Sequence, residues 1–316
     1  MKGNNSIIII NKDLCEEWLD VLKECGIGTI GLHSLYQYGG IDEFLNWLNR
    51  EDVRNLLQKF RRAGIEIEYQ LHAVNWLLPR GLFSVHPEWF RTDKNGVRVS
   101  DWNLCVSSVD ALEYIENSAY LLAKMLEQSS HNYYIWGDDC IGSVCYCEKC
   151  SKISGADQNM IIMKHVLKGL KRYDQEAKLA FLSYQDSFGT LTVPPEKDMF
   201  LEFAPIDRDH FSPICSDNEK NRRNCEIFEN LGQIFNGDKH VLEYYLDVSY
   251  YCGWKRENVK DLVLNTSVLE EDLKYYKSRG ATCLSTFAGF IDADWLKKFG
   301  TGKIKKYAEI VKKYFE

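Results

Sequence analysis

Eight short runs rich in β-branched and aromatic residues alternate along this chain with longer stretches of helical period. Such alternation dictates parallel strands joined by covering helices. The strand-like runs are residues 7–10, 29–33, 66–72, 133–138, 178–184, 200–204, 241–246 and 283–287. Between and after them the spacing predicts helices over 12–25, 41–63, 110–128, 158–173, 222–235, 268–279 and 303–314. Gly26, Gly64 and Gly280 each follow a helical stretch, where a left-handed residue ends the helix most readily. Eight β/α units with no strand left over predict the α/β class and a closed (β/α)8 TIM barrel. An open doubly wound sheet would have fewer strands and a glycine fingerprint after the first, and none is present. No repeat, low-complexity segment or Pro/Gly/Ser-rich linker interrupts the chain, so residues 1–316 read as a single domain with long βα loops.

Charge and cysteine usage narrow the function. A formal net charge of −7 argues against nucleic acid, which is bound by clustered Lys and Arg. The lysine-rich stretch 297–313 is the solvated face of a final helix. No apolar run approaches the roughly 18 residues that would cross a membrane. The apolar run 7–10 lacks the cleavage site of a signal peptide, so a cytoplasmic location is expected. Eleven cysteines, an odd number with several clustered, point to a metal site plus free thiols rather than a disulfide framework. Nothing in the sequence excludes a homo-oligomer.

In a barrel of this kind the chemistry sits on loops leaving the C-terminal ends of the strands. Four are long: residues 73–108, 139–157, 205–221 and 247–267. Within the second, Cys145, Cys147 and Cys150 form C-x-C-x-x-C, a spacing that lets three thiolates converge on one tetrahedral metal. Cys105, in the first long loop, is the expected fourth ligand, with Cys140 the alternative. Four thiolates leave no open position, so a zinc here would be structural and would staple the two loops. The bland reading is three reduced cysteines in a loop. Cys15, Cys25, Cys215, Cys225, Cys252 and Cys283 are scattered and read as ordinary thiols.

The run Y-Y-I-W-G-D-D at 133–139 ends in two acids, Asp138 and Asp139. Glycoside hydrolysis needs one carboxyl to give a proton to the leaving oxygen and a second charge to stabilise the transition state. Both acids can face one cleft only if the strand has ended by Gly137. Glu202 and Glu243 lie in apolar strand contexts, and period two places Glu243, Tyr245 and Asp247 on one face with Asp247 nearest the rim. A structural ion pair is the competing reading for Glu202 and Glu243. His72, ending the third strand, is a candidate to orient a sugar hydroxyl or a packed core histidine. Aromatic residues crowd the loops, among them Trp76, Trp89, Trp102, Trp136, Tyr250, Tyr251, Trp254 and Trp295. Pyranose C–H faces stack on such rings, and Trp136, Trp76 and Trp254 are expected to line one groove at the barrel mouth. Trp18 and Trp47 lie in helical stretches and read as packing residues.

From about Gly26 to Gly300 the chain resembles bacterial proteins of the glycoside-hydrolase-like family of domain of unknown function 4838. The residues carrying this are 71–80 (L-H-A-V-N-W-L-L-P-R), 86–90 (H-P-E-W-F), 103–108 (N-L-C-V-S-S), 136–139 with the cysteines after it, 200–206 (F-L-E-F-A-P-I), 242–249 and 287–294. Some relatives look like endo-acting β-N-acetylglucosaminidases, which implies attack by the substrate's own acetamido group. G-D-D at 137–139 is similar to the G-D-E of family 20 hexosaminidases, whose first acid orients the acetamide and whose second donates the proton. Here the second is Asp139, one methylene shorter. C-Y-C-x-x-C six residues after that acid is similar to the zinc loop of family 42 β-galactosidases, whose fourth ligand is a cysteine on a neighbouring loop. That likeness also favours Cys105.

The combined expectation is a retaining glycoside hydrolase acting on a β-linked amino sugar or related glycoside. Asp139 is the acid/base and Asp138 the acetamide-orienting group, assisted by Tyr245 or Tyr184. A double-displacement variant uses Glu243 or Asp247 as nucleophile. His72, Trp76, Arg80, Trp136, Tyr184, Glu202, Tyr245, Trp254 and Asp292 are the substrate-binding candidates. The rival reading is a non-catalytic carbohydrate-binding barrel, which keeps the aromatics and uses the acids to hold hydroxyls. Either way the expected partner is an oligosaccharide or glycoside, with no nucleic acid and no membrane.

Overall fold

The structure is a computed structural model that describes residues 5–35, 39–126 and 128–315. Its strands are β1 (Asn5–Ile10), β2 (Thr29–His33), β3 (Glu66–His72), β4 (Asn132–Trp136), β5 (Lys178–Ser183), β6 (Met199–Phe203), β7 (Lys239–Glu243) and β8 (Cys283–Phe287). Each pairs in parallel with the next, and β8 closes on β1, giving a closed eight-stranded barrel. The helices are α1 (Glu17–Cys25), α2 (Gly40–Leu48), α3 (Glu51–Arg62), α4 (Val74–Leu77), α5 (Val109–Met125), α6 (Gly155–Tyr173), α7 (Glu219–Ile234), α8 (Val248–Tyr251), α9 (Thr266–Ser278), α10 (Ala293–Phe299) and α11 (Gly302–Lys312). The expected TIM barrel is therefore present. Among the described residues, no helix is long and apolar enough to cross a membrane.

Local chemistry sets the element ends. Gly26, Gly64 and Gly280 all adopt positive φ, between 63° and 82°, just past α1, α3 and α9. The caps of α5, α6, α7 and α9 are Ser108, Ser154, Asn218 and Asn265, whose side chains accept from first-turn amides. The single helix expected over 41–63 is two, because Arg50 is extended and Glu51 and Asp52 start α3 where acids favour a helix N-terminus. Four strands stop before their apolar runs do: β5 and β6 by one residue, β4 at Trp136 and β7 at Glu243. The endings of β4 and β7 reposition acids.

Alternation divides the strand side chains between two cores. Ile8, Tyr134, Trp136, Ala180, Leu182, Phe200 and Leu242 fill the barrel interior. Their neighbours, including Ile7, Ile9, Ile30, Leu32, Ile67, Phe181, Leu201 and Val241, pack outward under the helices. The closest helix pair is α5 with α6, where Gly169 lies against the Glu116 carbonyl. A Cβ there would stand 2.1 Å from that oxygen and 2.9 Å from the Ala119 Cβ. Alanine is the better helix former by about 1 kcal/mol, yet Gly169→Ala is expected to destabilise the chain by about 1–3 kcal/mol through overpacking. Guanidinium unfolding of the two proteins checks it; an unchanged or higher midpoint would show that the helices are not in such close contact.

Candidate active site

A cavity of about 310 Å³ opens at the C-terminal mouth of the barrel. Strand ends supply its walls: Ile10 from β1, His33 from β2, His72 from β3, Trp136 from β4 and Phe287 from β8. Tyr184, Tyr244 and Trp254 come from the segments that follow β5 and β7. Two carboxylates line it, Asp139 just past β4 and Asp247 just past β7. Aromatic surface beside two acids can hold a pyranose face and act on its glycosidic bond.

Glycine geometry separates the two adjacent aspartates. At Gly137 a Cβ would lie 2.6 Å from Asn159 Oδ1 on α6, so the chain passes there with no room for a side chain. The Gly137 carbonyl accepts from His72 Nδ1 at 2.6 Å. Asp139 then points into the cavity, while Asp138 lines a separate small crevice behind it. The Asp138 amide donates to Asn103 Oδ1, and its Oδ1 accepts from the Asn75 amide, each at 3.1 Å. The expectation that both acids face one cleft is corrected: Asp138 ties the loop after β3 to the loop after β4.

Asp247 is 4% exposed, and its Oδ1 accepts from the Ser249 amide at 3.0 Å and the Ser249 hydroxyl at 2.6 Å. Burial outweighs these bonds and pushes its carboxyl up to about 6. The two histidines are also fixed. His33 Nδ1 lies 2.7 Å from the Gln70 carbonyl. A carbonyl only accepts, so in both rings Nδ1 carries the proton and neutral Nε2 carries the lone pair. Burial lowers His72 and takes His33 down to about 4. Tyr184 is pushed up, first by burial and then by the neighbouring Asp139 carboxylate.

Other sequence candidates lie elsewhere. Leu242 faces the interior, so alternation on β7 makes His240, Leu242 and Tyr244 the inward set and turns Glu243 and Tyr245 to the outer face. There Arg208, from the loop after β6, meets Glu243 at 3.3 Å and Asp272 of α9 at 2.5 Å, with all three side chains fully buried. Tyr276 donates to Glu243 at 2.6 Å and Tyr245 to Asp272 at 2.9 Å. Glu243 is thus an ion-pair partner outside the cavity, and Tyr245 cannot reach a ligand in it. Glu202 faces into the barrel beneath the cavity, accepting from Trp136 Nε1 at 2.9 Å. Trp76 leaves the mouth for a groove between α2 and α5, with Nε1 on Asp42 at 2.8 Å. Arg80 shares that groove and donates to the carbonyls of Leu78, Asp101 and Trp102. Asp292 caps α10 and pairs with Arg256 at 3.3 Å. His33 and Tyr244 were missed, although β2 and β3 both end in Leu-His, a repeated signal that marks both rings.

The sulfurs of Cys105, Cys145, Cys147 and Cys150 all lie within 4.8 Å of one another, a cluster that could hold a metal ion. Cys105 Sγ is 3.7 Å from Cys147 Sγ and 3.8 Å from Cys150 Sγ. Metal–sulfur bonds of about 2.3 Å in a tetrahedron require sulfurs about 3.8 Å apart, so the spacing fits. Cys140 is not in the cluster. Around it the loops are knitted: Arg91 forks onto Asp101 at 2.7 and 2.8 Å and reaches the Gly142 carbonyl at 3.1 Å.

Residues 36–287 match the family described as a domain of unknown function, DUF4838. The chain belongs to that family. No curated protein matches the chain in sequence. In fold, this DUF4838 barrel is similar to a β-galactosidase from Rahnella sp. R3, with 12% identity and a TM-score of 0.59 over 99% of this chain and 56% of that one. It is also similar to a β-N-acetylhexosaminidase from Bacteroides fragilis NCTC 9343 (11% identity, TM-score 0.53, 98% of this chain and 66% of that one). The cellulose synthase subunit Z from Clostridioides difficile matches along nearly its whole length (10% identity, TM-score 0.52, 98% and 99%). This chain spans little more than half the length of the β-galactosidases it matches. At such identities the likeness is one of fold.

Under the cavity, burial holds the Glu202 carboxyl well above its usual range. A carboxyl raised in the folded state favours folding at low pH, and that contribution is lost as pH rises from the unfolded value toward the folded one. Glu202→Gln keeps an acceptor for Trp136 and removes the charge. The variant is expected to gain on the parent in melting temperature as pH rises from 4.5 to 8, whereas Glu202→Ala orphans the indole N–H and costs about 1–3 kcal/mol. A pH-independent difference between the Gln variant and the parent would show that Glu202 is not buried as described.

Proposed function

We propose that this DUF4838 chain is a retaining glycoside hydrolase acting on a β-linked sugar, with Asp139 as acid/base, Asp247 as nucleophile and residues 1–316 as one domain. The observation that carries this reading is the meeting of those two carboxylates, from the β4 and β7 ends, in one aromatic-walled cavity. Asp247 is held by its own backbone cap, as a group that must attack from one fixed direction requires. Asp139 is less buried and stands beside the Tyr184 hydroxyl, where a leaving oxygen and an incoming water can exchange protons with it. In the first step an Asp247 oxygen bonds to the anomeric carbon as the glycosidic C–O bond breaks, and the departing oxygen takes the Asp139 proton. Water then loses a proton to Asp139, attacks the same carbon and frees Asp247. His72, Trp136, Tyr184 and Trp254 supply hydrogen bonds and stacking surface.

The fold shared with a β-galactosidase and a β-N-acetylhexosaminidase supports this class of reaction. The seat of Asp138 behind the cavity favours double displacement over attack by the substrate's acetamide, since of the adjacent pair Asp138 and Asp139 only Asp139 lines the cavity. An N-acetylated sugar remains within the substrate class.

Asp139→Asn is expected to lower hydrolysis of unactivated β-glycosides by about 10²–10⁴-fold while sparing the first step on dinitrophenyl glycosides, whose leaving group needs no proton. Asp247→Ala should abolish both, with azide restoring turnover. Raised to about 6, Asp247 loses its charge as pH falls, so kcat/KM should drop about tenfold per pH unit below about 6. A rate that instead climbs as pH falls through 6 would make Asp247 the acid and reverse the assignment. Ligand binding without turnover in the parent chain would leave a carbohydrate-binding barrel.

The four clustered cysteines are assigned a structural zinc, whose thiolate set leaves no position for a reacting water. Metal analysis is expected to find one zinc per chain, and Cys105→Ser or Cys147→Ser to lose it with a lowered melting temperature. Zinc below about a tenth of an equivalent in protein purified without added metal removes the site.

A further inference from the structure

Deep in the cavity, His33 is held on every side. Its Nδ1–H is committed to the Gln70 carbonyl at 2.7 Å. Its ring meets His72 edge-on at 5.7 Å, Phe287 edge-on at 5.2 Å, and Trp136 at 5.9 Å. Rotation of the ring would break the carbonyl bond and these contacts, so Nε2 is the remaining acceptor of a fixed ring on a side chain that lines the cavity. Burial keeps the ring neutral across the ordinary working range of pH.

The cavity's charge is one-sided. Asp139 and Asp247 line it, and among the described residues no lysine or arginine does. Arg208 is engaged with Glu243 and Asp272 on the far side of β7. An anionic ligand would be desolvated beside two carboxylates with no counter-charge, whereas a hydroxyl donor finds acceptors waiting.

We propose that His33 accepts a hydrogen bond from one hydroxyl of the bound sugar through Nε2, and that the cavity takes uncharged pyranosides and turns away uronic acids and sulfated or phosphorylated sugars. This rests on the carbohydrate reading of the cavity and adds the class of sugar and the residue that reads it.

Calorimetric binding at pH 7 to the intact chain tests it, using the methyl β-glycosides of glucose, galactose and N-acetylglucosamine against methyl β-glucuronide. At least one neutral glycoside is expected to bind, with the glucuronide at least about a hundredfold weaker. His33→Phe and His33→Ala should each weaken the neutral ligand by about three- to tenfold, the worth of one net hydrogen bond. Monodeoxy analogues separate reading from packing: one hydroxyl deletion should cost the parent that same factor and cost His33→Phe nothing further. Equal binding of the glucuronide, no binding of any neutral glycoside, unchanged affinity in the His33 variants, or deoxy losses alike in parent and variant would each overturn the proposal. Selective binding with no hydrolysis would sink the hydrolase assignment and leave this one standing. Hydrolysis with the glucuronide accepted equally well would do the reverse.

Discussion

Closure of eight parallel strands gives every strand side chain two destinations, the barrel interior or the layer beneath the helices. Everything at the mouth follows from where each strand stops obeying that alternation. On β4 the regular run puts Tyr134 and Trp136 inside, and Gly137 then releases the chain so that consecutive aspartates take opposite directions. On β7 the strand gives up after Glu243, and the turn from Tyr244 to Asp247 carries an acid back over the cavity. Had β4 kept its alternation, Asp138 would follow Trp136 inward in place of Asp139; had β7 kept its own, Asp247 would face outward.

That dependence explains what could be read in advance. The barrel itself was legible, because eight apolar runs and their helices announce it by period and by glycine stops such as Gly26 and Gly280. The cysteine cluster was legible too, since thiolate convergence needs only a spacing and a partner loop, and Cys105 joins the other three. Strand ends were not. Reading 241–246 as strand aligned Glu243 and Tyr245 with Asp247, whereas those two face outward to Arg208 and Asp272 and the early stop turns only Asp247 back to the cavity. Trp76 misled for a related reason: it follows β3 by a few residues, but the short helix α4 swings it away to Asp42. The signal for His33 is the Leu-His that ends β2 as it ends β3, and it shows only when the two strand ends are set side by side.

The rim is irregular backbone, and polar side chains do the work that a sheet or helix would do elsewhere. Arg91 bridges Asp101 to the Gly142 carbonyl, and Asp186 accepts from the amides of Gly142 and Ser143 at 2.9 and 2.6 Å. Asp157 likewise holds the amides of Thr192 and Val193, both at 2.8 Å. These buried or half-buried groups satisfy loop amides that have no ladder to join. With the cysteine cluster they make the loops after β3, β4 and β5 one continuous wall behind Asp139.

The opposite lip is built on another plan. Asp247 is anchored within three residues of itself by Ser249, before the outer part of its loop begins. Beyond it stands Trp254, 63% exposed on a left-handed backbone at φ 57°. Arg256 clamps the loop from below, pairing with Asp13 after β1 and lying 4.2 Å over the Phe290 ring. Ser249 joins the two parts of this loop: its amide and hydroxyl hold Asp247, and its carbonyl accepts from the Trp254 amide at 2.8 Å. A change of side chain at Trp254 alters the lip of the cavity and keeps that backbone bond, whereas an insertion between Ser249 and Trp254 would loosen the seat of the carboxylate as well.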